Sequence, residues 1–278
     1  MYEAFYGLTL KPFQISPDGE FYFDAAPHRR AMDYLVYGLD RQEGFIVLTG
    51  DAGTGKTMLA NRIVAGLKDG RAAAAMQAGF SLDAPDLLRA VASAFGNPVD
   101  ACGIAETLLA AEVSLVSVAQ QGRRCLLVVD DAQTLSAGAF EALRMLSNLQ
   151  IGRYALLQVV LVGEPRLRGS VQAAGLRQRV ICACHVDAFD AGDTRQYIGH
   201  RLSRAGLQGG LDIRDDAYDA IYAASNGVAR RVNSLCDRVL LGSFLEDRRV
   251  ICAADVNRVA AEYERELAGP PDALAPGS

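Results

Sequence analysis

The run Gly50-Asp51-Ala52-Gly53-Thr54-Gly55-Lys56-Thr57 spells G-x-x-x-x-G-K-T, a pattern whose chemistry is the capture of a phosphate chain. Glycines let successive backbone N–H groups approach an anion with no Cβ in the way, and phosphate oxygens need many donors close together. A helix that starts near Gly55 adds the positive end of its dipole. Lys56 is expected to reach the β- and γ-phosphates of ATP and Thr57 to give its hydroxyl to Mg2+, with the contacting run extending to Met58. A second run, Cys125-Leu126-Leu127-Val128-Val129-Asp130-Asp131, is apolar and ends in two carboxylates. Asp130 is expected to hold Mg2+ through water, and Asp131 to sit nearest the attacking water. Acids often end strands merely because the next turn is solvated. Downstream of the first motif, with a strand and helix between, the pair reads as the acidic half of a nucleotide site.

Such residues need a scaffold. Phe45-Ile46-Val47-Leu48-Thr49 is a continuous apolar run bounded by Gly44 and Gly50, as a fully buried strand requires. Met58 to Leu67 follows as a helix with Leu59, Ile63 and Leu67 on one face. A weaker strand is expected at Ala72 to Ala78, then helices around Pro85 to Phe95 and Ala105 to Gln120, then the strand Cys125 to Val129. A helix at Ala137 to Leu149 leads into the strand Leu156 to Val162. This alternation predicts an α/β fold, a P-loop NTPase parallel sheet with helices on both faces. From about Asp190 the strand signal stops, and Thr194 to Ala205, Asp215 to Ala224, Val228 to Leu245 and Ala253 to Leu267 read as helices. Asp190 and Asp193 offer N-cap chemistry and Gly206 a C-cap. The expected organisation is an aromatic segment 1–27 broken into loops by its prolines, an α/β domain 28–188, a small helical lid 189–268 and a frayed tail 269–278. Within the first domain a helix is expected from His28 to Leu39.

Composition excludes several classes. The chain has 278 residues, half of them apolar, and a net charge of −5, so it is neither wholly disordered nor globally attracted to nucleic acid. Its apolar runs fall far short of the roughly 18 residues that cross a bilayer, and its first residues lack the basic and apolar regions of a secretory signal. A cytoplasmic location is expected. The six cysteines form no C-x-x-C pair and read as buried reduced thiols. Only Lys11, Lys56 and Lys68 are lysines, which singles out the one in the glycine run. His28 and His200 read as capping or packing residues, and Arg195, Arg201 and Arg204 as a solvated helix face.

At this point a family resemblance is carried by many residues. Phe5-Tyr6-Gly7-Leu8, Pro12-Phe13, Pro17-Asp18, Phe21-Tyr22-Phe23, His28, Ala31, Gly38-Leu39, Glu43-Gly44-Phe45, Asp131-Ala132-Gln133, Arg144-Met145-Leu146-Ser147-Asn148-Leu149 and Leu161-Val162-Gly163 resemble AAA+ ATPases of the general secretion pathway protein A type. Tyr34 to Leu39 most resembles the subfamily found beside exosortase and exopolysaccharide genes. The resemblance implies a homo-oligomer in which Arg179 acts in trans on a neighbour's γ-phosphate, with Arg177 competing for that role. It also implies that Arg230 serves as the lid-domain sensor arginine. The aromatic opening resembles the part that borders the adenine, or else staples a loop onto the core. Three positions depart from the family. Asp131 stands where Glu is usual, retracting the carboxylate by about 1.5 Å, one C–C bond, so slow hydrolysis is expected. Glu164 replaces a Gln near the sensor-1 site and either stands in for the polarising group or repels the γ-phosphate. Ala229 replaces a Pro before Arg230.

The function implied is an ATP-hydrolysing protein that drives or gates a partner in exosortase, exopolysaccharide or secretion machinery, recruited to the inner membrane through export or polysaccharide-assembly proteins. A chain ending at Ser278 without a transmembrane helix favours the exosortase-locus group. The alternative is an ATP-dependent DNA-binding AAA+ adaptor of the transposition-targeting type, against which the net negative charge argues. A small-molecule phosphotransferase fits the helical lid poorly.

Overall fold

The structure, a computed structural model, describes residues 1–14, 16, 19–67, 72–78, 81–100 and 103–268. Lys68, Pro17, Asp18, one of the six cysteines (Cys102) and the tail 269–278 lie outside the described residues. The chain divides into two compact units, Pro27–Asp187 and Met1–Ala26 with Ala188–Ser278.

The first unit is built on five parallel strands: β1 Phe45–Gly50, β2 Ala72–Ala78, β3 Arg124–Asp130, β4 Leu157–Gly163 and β5 Val180–Val186. Their order across the sheet is β2-β3-β4-β1-β5. Every residue of β1 and β4 is buried, as is β3 from Cys125 on, which is what central strands covered on both faces require. The helices are α1 Ala26–Asp40, α2 Lys56–Gly66, α3 Ala84–Ala94, α4 Ile104–Gln120, α5 Ala137–Leu146 and α6 Leu167–Ala173. Leu87, Leu88 and Val91 of α3 and Leu115 of α4 form one core with Phe140 and Leu143 of α5 and the sheet residues Leu127, Val159 and Leu161. Side chains of these types each gain about 1.5–3 kcal/mol on full burial.

This strand order positions the site. β4 lies between β1 and β3, with Thr49 level with Gly163 and Val129 level with Leu161. The carboxyl ends of β1, β4 and β3 therefore stand side by side, with β1 and β3 about 9–10 Å apart at two strand spacings. In open parallel sheets, such ends form the ligand crevice.

Two expectations are corrected. The helix predicted to Leu149 stops at Leu146, followed by a short antiparallel ladder of Gln150–Ile151 with Tyr154–Ala155. No strand is expected from the sequence between Val162 and Asp190, yet β5 lies there as an edge strand paired with β1.

In the second unit, α7 Ala191–Arg204, α8 Asp215–Ser225, α9 Ala229–Leu245 and α10 Ala253–Ala268 pack together, and a two-residue parallel ladder joins Asp212–Ile213 to Val250–Ile251. Asp190 caps α7 by accepting the Asp193 N–H at 2.7 Å, and Gly206 follows its end at φ 90°. The rings of Tyr2, Tyr6, Phe13 and Phe21 enter this unit's core beside Tyr197, Ile198, Leu202 and Val232. Arg201 is a further correction. It is 6% exposed, stacked on Phe21 and Tyr197, and it donates to the Pro12 carbonyl and, at 2.8 Å, to Tyr197 Oη. Aromatic faces and carbonyls solvate this cation where a helix-face reading places it in water. No described helix is long and apolar enough to cross a membrane.

Candidate functional site

The chain leaves β1 at Gly50 and turns through Gly53 and Gly55, at φ 86° and 94°, before α2 begins at Lys56. Both angles are ones that side chains disfavour, so the turn depends on glycine. Internal hydrogen bonds hold its shape. Thr54 Oγ1 and Lys56 Nζ both donate to the Asp51 carbonyl, at 2.9 and 2.8 Å. The buried His28 ring, entering from α1, donates through Nε2 to the Thr54 carbonyl at 2.8 Å. That contact fixes the ring directly against Gly55, where a Cβ would lie 2.9 Å from Nε2. His28 is thus packed under the turn, and its role is invisible in its spacing. The opening of α2 leaves the first N–H groups of the helix available to an anion.

Lys56 is 7% exposed and, among the described residues, makes no ion pair within 4.0 Å. Burial pushes its pKa below the ordinary lysine value, and the negative charges of Asp130, Asp131, Glu164 and Asp51 oppose that shift. A buried ammonium bonded to a carbonyl, with acids near but not in contact, is electrostatically unsatisfied and suits a polyanion. Next along α2, Thr57 Oγ1 donates to Asp130 Oδ2 at 2.7 Å. Asp130 is itself 9% exposed at the end of β3, and its Oδ1 accepts the Asp131 N–H at 3.0 Å. These are two hard oxygen donors beside an anion cradle, the chemistry that Mg2+ takes when it shares its shell with phosphates and water.

The structure brings Lys56, Thr57, Asp130, Asp131 and Glu164 to the carboxyl end of the central strands, with Gly50, Asp51, Ala52, Gly53, Thr54, Gly55 and Met58 in the turn and first helical turn beside them. Asp131 is exposed, with φ 51° and ψ 36°. Glu164 directs its carboxylate to Arg166, whose Nε lies 3.0 Å away, so part of its charge is already answered. Two residues without an assigned role in the sequence reading also join the site. Gln133 lies between Asp131 and Glu164, and Gly163 leaves it room.

Arg179 is elsewhere. Val180 is level with Phe45 at the start of β1, while Val186 is level with Gly50 at its end. Arg179 therefore stands at the opposite end of the sheet from its own glycine turn, roughly 17 Å away at about 3.3 Å per residue. It is half-buried, with Nη1 3.5 Å from Ser147 Oγ, whereas Arg177 is exposed. Arg230 is exposed in the first turn of α9 and belongs to the other unit.

Comparison with known proteins agrees with this geometry. Residues 39–171 match the family described as AAA domain. The chain is similar to the General secretion pathway protein A of Aeromonas hydrophila, 33% identical over 266 residues that cover 94% of this chain and 48% of that protein. It thus spans about half the length of that relative. Among solved structures it resembles Cdc6p from Pyrobaculum aerophilum, with a TM-score of 0.73 at 17% identity over 95% of this chain and 75% of that one. It also resembles the Aeropyrum pernix ORC1 protein in complex with DNA, with a TM-score of 0.67 at 18% identity over 92% and 70%. At these identities the structural likeness shows the fold alone. With a parallel sheet, a glycine turn opening onto a lysine-led helix and an acid at the neighbouring strand end, residues 39–171 are an AAA domain of P-loop NTPase fold, in a chain similar over nearly all of its own length to general secretion pathway protein A.

Proposed function

We propose that this protein binds ATP with Mg2+ at the Gly50–Met58 turn and hydrolyses it slowly, and that the cycle drives or gates a partner protein. The observation that carries this reading is the Lys56 ammonium, buried without an ion pair among the described residues, beside the Thr57–Asp130 pair. A triphosphate satisfies what the fold leaves unsatisfied there. In this reading Lys56 neutralises the β- and γ-phosphate oxygens, and the backbone donors of residues 50–58 orient the chain of phosphates. Thr57 and Asp130 would hold Mg2+, which when bound shields charge between the β- and γ-phosphates. Asp131 orients the attacking water, and Glu164, neutralised in part by Arg166, lies at its flank.

Arg179 stands too far along the sheet to serve its own turn, which supports a homo-oligomer in which it reaches a neighbour's γ-phosphate. Arg230 in α9 is the proposed nucleotide-sensing residue of the helical unit. The similarity to a secretion-pathway protein supports a partner in export, and we assign it to exosortase-linked or exopolysaccharide assembly at the inner membrane, with this chain on the cytoplasmic side. Affinity capture from the native host with ATP-locked and nucleotide-free protein tests the assignment. Recovery of export or polysaccharide-assembly proteins in the ATP-locked sample supports it, and recovery of DNA with a recombinase contradicts it.

A further inference from the structure

Asp131 carries the largest chemical burden of the proposed site with the shortest acidic side chain, and its backbone is left-handed, a conformation that Asp tolerates better than most residues. Its carboxylate is held from outside its own strand. Oδ1 accepts a hydrogen bond from Gln133 Nε2 at 3.2 Å. The other end of the same amide, Oε1, accepts the backbone N–H of Glu164 at 3.0 Å. Glu164 follows the end of β4, so one side chain spans from the acid to the neighbouring strand end. Gly163 makes this possible, because a Cβ there would lie 2.2 Å from Gln133 Oε1. Gly163 does not have a positive φ, so space rather than backbone freedom calls for glycine.

We propose that Gln133 is a positioning residue, an amide clasp that fixes the direction of the Asp131 carboxylate by anchoring it to the turn at Gly163–Glu164. The inference rests on the hydrolysis reading above. The clasp has a chemical polarity. Its NH2 group must face the carboxylate and its carbonyl must face the N–H, since a flipped amide would set two acceptors together at one end and two donors at the other. The anchored amide thereby supplies the orientation that a water-directing carboxylate needs, where a misplacement of about 1 Å can cost on the order of 10²-fold in rate.

Gln133→Glu separates positioning from simple support, because it keeps an oxygen for the Glu164 N–H and sets a second carboxylate against Asp131. Gly163→Ala displaces the whole amide. ATP hydrolysis by the full chain, read as kcat and KM, is combined with hydrogen exchange at the Glu164 amide. In Gln133→Glu the clasp predicts a kcat loss on the order of 10²-fold, an unchanged KM and a Glu164 amide as protected as in wild type. In Gly163→Ala it predicts the same kcat loss with faster Glu164 exchange. Wild-type kcat in Gln133→Glu overturns the proposal, as does a rise in KM in step with the fall in kcat, or a Glu164 amide unprotected in the wild-type protein. A wild-type protein that turns over no ATP sinks the hydrolysis reading, and the exchange of Glu164 then decides the clasp by itself.

Discussion

Replacing Gly55 by Ala tests how the glycine turn is held. The φ of 94° places an L-residue in a region that costs about 1–2 kcal/mol. The new Cβ would also lie 2.9 Å from His28 Nε2 and 3.2 Å from its Cε1, too close for the buried ring to stay. Moving His28 breaks its 2.8 Å bond to the Thr54 carbonyl, and leaving a buried acceptor unpaired costs about 1–3 kcal/mol. Together these give a loss of about 2–5 kcal/mol, or roughly 4–20 °C in the melting temperature of a unit this size. Chemical denaturation measures the loss, and calorimetric titration with a non-hydrolysable ATP analogue should show weakened binding in the same variant. The contributions can be separated. In the His28→Ala background the clash is gone, so Gly55→Ala should cost less there, with a coupling of about 1 kcal/mol or more. Gly66→Ala at the end of the same helix meets none of the described residues within 4 Å and should be neutral or stabilising by up to about 1 kcal/mol. A Gly55→Ala protein as stable as wild type, with full affinity, would refute the reasoning.

Three other outcomes are expected. Asp131→Glu should raise the hydrolysis rate by restoring the reach of the carboxylate, and a rate that stays level or falls removes the role given to Asp131. Because burial lowers the pKa of Lys56 and a bound triphosphate would raise it again, binding should take up a proton at alkaline pH. Affinity should therefore weaken as pH rises through the lowered value, and the binding enthalpy there should depend on the ionisation enthalpy of the buffer; buffer-independent enthalpy with flat affinity contradicts this. Arg179→Ala should bind ATP normally but hydrolyse it poorly, and mixing it with the Lys56→Ala protein should recover activity, since mixed assemblies pair an intact turn with an intact arginine. Failure of the mixture to recover while each variant stays folded argues against action in trans.

Much of this arrangement was legible in the sequence, because β1 and β3 are continuous apolar runs, β4 is apolar but for Gln158, and the phosphate motif and acid pair adjoin their ends. β5 was not. Its buried Cys182, Cys184 and Val186 alternate with the more exposed Ile181, Ala183 and His185, a pattern that suits an edge strand but reads weakly in residues such as Cys, Ala and His. β2 was expected as a weaker strand and is found at the expected Ala72–Ala78; it is almost all alanine, a helix former by propensity, and its pairing with β3 favours the extended form. Arg201 was misread for a different reason. Its charge points to water, while the ring that stacks on it, Phe21, and the carbonyl that it reaches, Pro12, come from far along the chain. His28 is the packing residue expected of it, but its place under the glycine turn was not legible, nor was the part of Gln133, on the same account. Each acts through a contact some thirty residues away, and nothing in local periodicity reports a contact of that kind.

The ligand proposed between the Lys56 turn and the Thr57–Asp130 pair is an adenine nucleotide with its divalent ion. The most direct measurement is a calorimetric titration of the folded protein with a non-hydrolysable ATP analogue, with and without Mg2+, repeated on Lys56→Ala and Asp130→Ala. Saturable one-site binding in the wild type, abolished without Lys56 and stripped of its Mg2+ dependence without Asp130, is the predicted result. A folded wild-type protein that takes up no nucleotide, or one that binds it equally well without Lys56, would contradict the account.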